Sequence, residues 1–189
     1  MSHNSDTLSS SLPSQTKARS SIPIGIAVLT ISDTRQLHDD RSGDLLAERI
    51  NKAGHELKAR LIVQDEVDAI QDQLLRWVQD SDINVIITTG GTGFTGRDVT
   101  PEAVEPLLDK KIDGFSIFFH HISSQKIGTS TIQSRAMAGM IRNCFIFCLP
   151  GSPNACKDAW DEILRYQLDY RHKPCNFIEI MQRADEHLS

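Results

Sequence analysis

The stretch Ile24-Gly25-Ile26-Ala27-Val28-Leu29-Thr30-Ile31 limits this chain more than any other, because it is apolar almost without interruption. A strand wetted on one face alternates polar with apolar residues. A strand that does not alternate is covered on both faces, as in a parallel sheet lying between helices. The next elements fit that frame. A helix is predicted from about Ser42, with Leu45, Leu46 and Ile50 on one stripe and Gly54 at its C-terminal stop. Leu57 to Val63 alternates more weakly as a second strand. Ile70, Leu74, Trp77 and Val78 then recur at helical spacing, and Val85-Ile86-Ile87 opens a third strand. Strand, helix, strand, helix, strand at these lengths requires right-handed crossovers. The fold class predicted is therefore α/β: a three-layer α/β/α sandwich around a mostly parallel, doubly wound sheet. Farther on, residues 100–112 and 114–123 read as helices, 136–141 and 144–149 as strands, and 152–170 as a long helix.

A chain of 189 residues suffices for one buried core. We place that domain at residues 23–183, with tails at 1–22 and 184–189. The first 21 residues hold eight serines and no continuous apolar segment, which predicts a flexible tail and not a secretion signal. No apolar run approaches the roughly 20 residues that span a bilayer, so a soluble, cytoplasmic protein without a membrane partner is expected. Lys plus Arg at 20 against Asp plus Glu at 25 leaves a net charge of −5, which argues against a nucleic-acid surface. An anionic ligand must then be held locally. Cys144, Cys148, Cys156 and Cys175 form no C-x-x-C pair, and no histidine flanks them at zinc-finger spacing. Reduced, mostly buried thiols are expected.

The strongest chemical signal is Thr88-Thr89-Gly90-Gly91-Thr92-Gly93-Phe94-Thr95-Gly96-Arg97-Asp98-Val99-Thr100-Pro101-Glu102, running out of an apolar strand. Its glycines let backbone N–H groups surround an anion with no Cβ in the way. Thr100 reads as an N-cap, Pro101 suits the first helical position, Glu102 complements the dipole, and Val99 can staple to Val104. Phosphate is the natural guest. Gly91-x-Gly93-x-x-Gly96 spells the dinucleotide fingerprint, but it follows the third strand and the helix begins only after Gly96. Arg97 and Asp98 stand where a P-loop would carry Lys and Ser or Thr, so neither label fits.

A carboxylate such as Asp98 beside a phosphate cradle repels its guest unless a cation lies between them, and magnesium accepts one or two carboxylates plus phosphate oxygens. A second acidic cluster comprises Asp33, after the first strand, and Asp39-Asp40 before the first helix. In a 2-1-3 strand order the first and third strand ends flank the ligand crevice, so Asp33, Asp40 and Asp98 are expected to converge. Leu149-Pro150-Gly151-Ser152-Pro153-Asn154 is a sharp turn with Ser152 as N-cap and Pro153 at the first position of a helix. Ile127-Gly128-Thr129-Ser130-Thr131-Ile132-Gln133-Ser134-Arg135 is a hydroxyl-rich segment suited to a polar heterocycle or phosphate, with Arg135 as charge partner. Phe115, Phe118, Phe119 and Ile122 mark an apolar helix face directed to the core or to a second subunit. His120 and His121 read as its solvated edge.

In combination, Thr89-Gly90-Gly91-Thr92-Gly93, Arg97 to Glu102, Gly128 to Arg135 and Leu149-Pro150-Gly151-Ser152 resemble the MoaB/MogA family of molybdenum cofactor biosynthesis. Pro174-Cys175-Asn176-Phe177 is similar to its MoaB branch. The resemblance implies a molybdopterin-binding fold assembled as a homotrimer or homohexamer, serving alongside other proteins of the pathway. It implies binding of molybdopterin and Mg-ATP, and transfer of AMP to the terminal phosphate of the pterin with release of pyrophosphate. By position it implies Asp98, Asp33 and Arg97 as catalytic residues and Asp33, Asp40 (or Asp39) and Asp98 around magnesium. It further places Ser42, Thr89, Gly90, Gly91, Thr92, Gly93, Glu102, Ser130, Ser134, Arg135, Pro150, Gly151 and Ser152 against nucleotide or pterin. The alternatives are a non-catalytic molybdopterin carrier of the same pathway and, from the literal glycine match, a nicotinamide dehydrogenase.

Overall fold

The computed structural model describes residues 19–183, so most of the two predicted tails lies outside the described residues. Within the stretch assigned to the first tail, Arg19 donates to the Tyr170 carbonyl at 3.3 Å and pairs with Glu179, and Ile22 packs against the core. That end lies on the domain.

Strand β1 (Gly25–Ile31) is buried along its whole length. It pairs in parallel with β2 (Glu56–Val63) on one side and β3 (Val85–Thr89) on the other. Parallel β6 (Cys144–Leu149) follows β3. Antiparallel β5 (Met137–Ile141) and the two-residue β4 (Lys110–Lys111) complete a six-stranded sheet in the order β2-β1-β3-β6-β5-β4. The expected 2-1-3 arrangement and the mostly parallel sheet are both present. The strand period of two splits the core between the faces. Ile26, Val28, Val85, Ile87, Phe145 and Phe147 meet Leu46 and Ile50 of α1 (Arg41–Lys52), Phe115 and Phe119 of α4 (Asp113–Ile127) and Cys156 of α5 (Pro153–Ala159). Ala27, Leu29, Ile86, Ile146 and Cys148 meet Ile70, Leu74 and Trp77 of α2 (Val67–Trp77) and Ala103 of α3 (Thr100–Val104).

Four readings change. The helix expected over 100–112 stops at Val104, followed by a 3-10 turn at Glu105–Leu107, because Pro106 has no N–H to continue the ladder. The chain then pairs as β4, Lys110 opposite Met140 and Lys111 opposite Gly139. Val99, not Thr100, occupies the α3 cap position; the Thr100 hydroxyl donates instead to the Gly90 carbonyl at 2.8 Å. The long helix over 152–170 is α5, a π-helical turn at Trp160–Leu164 and the short α6 (Arg165–Gln167). The final element is α7 (Phe177–Met181). Ser152 caps α5 as expected, accepting from the Ala155 N–H at 3.2 Å. Cys144, Cys148 and Cys156 are buried free thiols and Cys175 is exposed. Burial pushes Cys144 and Cys148 up to about 12 and Cys156 to about 11. No group of three or more metal-ligating side chains that could hold an ion occurs among the described residues.

Candidate functional site

Parallel pairing brings the carboxyl ends of β1, β3 and β6 side by side, with Thr30 opposite Thr89 and Thr89 opposite Leu149. Gly90 turns the chain there at φ +111°, its N–H donating to the Leu149 carbonyl at 3.0 Å. A Cβ on Gly90 would fall onto the Ile31 carbonyl oxygen, and one on Gly151 would stand 3.2 Å from the Gly90 Cα. Glycine is therefore required at position 90, and at 151 a side chain would fit only if the crossing backbone gave by a few tenths of an ångström. The Thr89 hydroxyl donates to the Pro150 carbonyl at 3.0 Å and contacts the Cys156 Sγ at 3.1 Å. The Ser42 hydroxyl and the Arg35 guanidinium both donate to the Gly151 carbonyl, at 3.0 and 3.1 Å. Ser42, Thr89, Gly90, Pro150 and Gly151 thus form one knot, with Ser152 exposed at its edge.

The loop after Gly90 is organised by Asp98. Its carboxylate accepts from the Thr95 hydroxyl at 2.6 Å and the Thr95 N–H at 2.8 Å, and it lies so close to Gly93 that a Cβ there would sit 2.8 Å from it. Partial burial pushes the Asp98 pKa up, but the bonds from Thr95 and the Gly93 amide outweigh it and leave the carboxyl below its ordinary value. Arg97 grips Asp33 with two parallel bonds of 2.8 and 2.7 Å. That grip, with the Asp65 N–H at 3.1 Å, holds Asp33 below the usual carboxylate range. Asp33 and Asp98 therefore share one edge of the sheet, as the sequence led us to expect.

Asp65 was not singled out from the sequence. Its carboxylate accepts from the Val99 N–H at 3.2 Å and lines Gly91, where a Cβ would stand 2.8 Å from it. Burial raises its pKa, and the charges of Asp98 and Asp33 add to the rise. The available signal was positional: Asp65 follows Val63, the end of β2, by the same offset at which Asp33 follows Ile31, and those strand ends are paired.

Asp40 does not join this group. It is fully buried as the N-cap of α1, its oxygens accepting from the Gly43 N–H (3.0 Å), the Thr30 hydroxyl (2.7 Å) and Arg60 (2.9 Å). The expectation that Asp40 faces a metal is corrected: the helix start needs its carboxylate, and protein donors surround it. Asp39 is exposed and accepts from the Gln36 N–H at 2.7 Å.

The hydroxyl-rich segment reaches the same edge through Arg135. Its N–H donates to the Thr92 carbonyl at 2.9 Å, its guanidinium to the carbonyls of Gly93 (2.9 Å) and Asp98 (2.8 Å), and it pairs with Glu102. Glu102, Ser134 and Arg135 line a cleft of about 440 Å³ together with His120. The Ser134 hydroxyl oxygen is buried there with no hydrogen-bond partner. His120 is not the solvated edge expected; its ring nitrogens lie 2.7 Å from the Ser116 carbonyl and 2.9 Å from that of Ser134, whereas His121 is exposed. Ser130 sits exposed in the 3-10 turn Gly128–Gln133, with no hydrogen bond to the cradle among the described residues.

Asp33, Asp65, Asp98, Glu66 and Glu102 outnumber Arg35, Arg97 and Arg135 at this edge, and Arg97 and Arg135 already have carboxylate partners. With that acidic rim, and with the N–H groups of Gly90, Gly93, Thr95 and Val99 already given to protein acceptors, a polyanion here would need a cation alongside it.

Residues 27–170 match the family described as "Probable molybdopterin binding domain". The chain is 45% identical over 156 residues to molybdenum cofactor biosynthesis protein B of Escherichia coli (strain K12), covering 82% of this chain and 92% of the relative. It is 43% identical over 150 residues to the protein of the same name from Staphylococcus carnosus (strain TM300), covering 78% and 88%. A crystal structure of molybdenum cofactor biosynthesis protein B superposes with a TM-score of 0.80 at 36% identity, over 89% of this chain and 99% of that one. The tungsten cofactor synthesizing protein MoaB from Pyrococcus furiosus superposes with a TM-score of 0.72 at 32% identity, over 86% and 97%. The chain thus belongs to the family of molybdenum cofactor biosynthesis proteins built on the probable molybdopterin binding domain.

Proposed function

We propose that this protein binds molybdopterin and ATP and transfers AMP to the terminal phosphate of the pterin, releasing pyrophosphate. The observation that carries the reading is the meeting of the loops after β1, β2, β3 and β6 with the segment before β5. They link Asp33, Asp65, Asp98, Arg97 and Arg135 in one hydrogen-bonded network along the glycine-rich loop. A phosphate monoester is already an anionic nucleophile. One of its oxygens bonds to the α-phosphorus of ATP while the bond from that phosphorus to the bridging oxygen breaks, and pyrophosphate leaves with the electron pair. No general base is needed. Such a reaction asks for alignment and charge neutralisation; Arg97, already gripping Asp33, would share that work with a bound cation.

Magnesium accepts one or two carboxylates, and Asp65 and Asp98 are the pair here that would hold it; burial and their mutual charge already raise the Asp65 pKa. Bound there, the ion would offset phosphate charge and align the chain of phosphoryl groups. The same reading includes a cytoplasmic homotrimer or homohexamer.

The test is pyrophosphate release by purified protein given Mg-ATP and molybdopterin. Asp98→Asn is expected to retain pterin binding and to lose turnover by about a hundredfold or more. Pterin binding without pyrophosphate release by the native protein would favour the carrier reading. Tight NADH binding with no affinity for pterin would overturn both.

A further inference from the structure

Phe94 is 69% exposed and follows directly on the glycines of the loop. It is not on a loose loop tip. On one side Gly93 is held through its carbonyl by Arg135 at 2.9 Å; on the other, the Thr95 N–H and hydroxyl are held by Asp98 at 2.8 and 2.6 Å. The Arg135 guanidinium lies over the ring, 5.3 Å from its centroid, and is itself fixed by the carbonyls of Gly93 and Asp98 and by Glu102. One side of the ring thus carries a locked cation, and most of the residue remains open to solvent. Phe94 follows the glycine cradle by one residue, and one residue advances the chain by about 3.8 Å. A ring system attached to a phosphate in the cradle is within reach of it.

We propose that Phe94 is the stacking platform of this site, receiving the planar heterocycle of a phosphorylated ligand on its free face. The arrangement is a sandwich of guanidinium, phenyl ring and heterocycle, in which Arg135 fixes the plane of the middle layer. The proposal rests on the reading of the crevice as a phosphate site, and it specifies what the phosphate is attached to. Adenine and pterin share the required flat π-face, and the experiment separates them.

Binding to the full-length protein is measured for three probes with Mg²⁺: ATP, 6-carboxypterin and inorganic pyrophosphate. Phe94→Ala is expected to weaken at least one of the two heterocyclic probes by about ten- to a hundredfold and to change pyrophosphate affinity by less than about twofold. Phe94→Trp should keep the affinity and show quenching of its indole fluorescence by the stacked probe, and Phe94→Leu, apolar but without a π-face, should behave like Phe94→Ala. Loss for ATP alone assigns the platform to adenine, and loss for the pterin alone assigns it to pterin. Unchanged affinity for both in Phe94→Ala, equal loss for pyrophosphate, or full rescue by Phe94→Leu would overturn the proposal. Native protein that binds a heterocycle through Phe94 yet releases no pyrophosphate from Mg-ATP and molybdopterin would sink the adenylyl-transfer reading and leave the platform standing.

Discussion

Asp40 and Asp98 are the same residue type placed near the same sheet edge, and their surroundings give them different work. Asp40 is sealed under the start of α1 between Thr30, Gly43 and Arg60, whereas Asp98 is only partly covered and faces the cradle. Asp40→Ala removes a helix cap and leaves Arg60 without its most buried partner, so it is expected to lower unfolding stability by about 2–4 kcal/mol. Denaturant titration checks this, with Asp98→Asn predicted to stay within about 1 kcal/mol of the native protein; an Asp40→Ala protein of native stability would contradict the structural role. Asp98 was legible in the sequence because a glycine-rich turn ending in a carboxylate is hard to explain without a ligand. Asp65 was not, because it follows an edge strand whose half-exposed pattern blurs where the strand stops and its loop begins.

The elements most legible in the sequence were β1, β3 and β6, whose burial on both faces leaves unbroken apolar runs. Two exposed lysines carry no such signature, so β4 could not be read, and propensity alone extended α3 through Pro106. Between elements, Arg49 of α1 holds Asp161, just beyond α5, with two bonds of 2.8 and 3.0 Å. The Arg49 bond, joined by Lys157, brings the Asp161 carboxyl down to about 2. A carboxylate with a depressed folded pKa contributes stability above its unfolded value and loses it as pH falls through the folded one. Asp161→Asn should therefore cost on the order of 1–2 kcal/mol at neutral pH, allowing for partial solvent screening. The gap from the native protein should close between about pH 4 and pH 2. Parallel unfolding curves across that range test it; a gap independent of pH would remove the ion pair as the cause.

On the scale of the molecule, the side of α4 away from the core bears Ile117 at 72% and Phe118 at 51% exposure, and Ile132 follows at 71%. Phe118 also lines an apolar groove of about 520 Å³ with Tyr166 and Phe177. The homotrimer or homohexamer included in the proposed function would use this face for association. Light scattering on purified protein is expected to give about three or six times the 21.1 kDa chain mass, and Ile117→Asp to lower it. A native protein of single-chain mass would refute the assembly.

The direction of β5 has its own consequence. Residues 33, 65, 90 and 151 come after the strands that carry them, at the ends where parallel strands finish. Arg135 comes before its strand, and it reaches the same rim because β5 runs the other way, with Met137 opposite Cys148. A five-residue strand is roughly 16 Å long, so a forward-running β5 would have left Ser134 and Arg135 on the far side of the sheet. One reversed strand lets a crevice recruit leading residues as well as trailing ones.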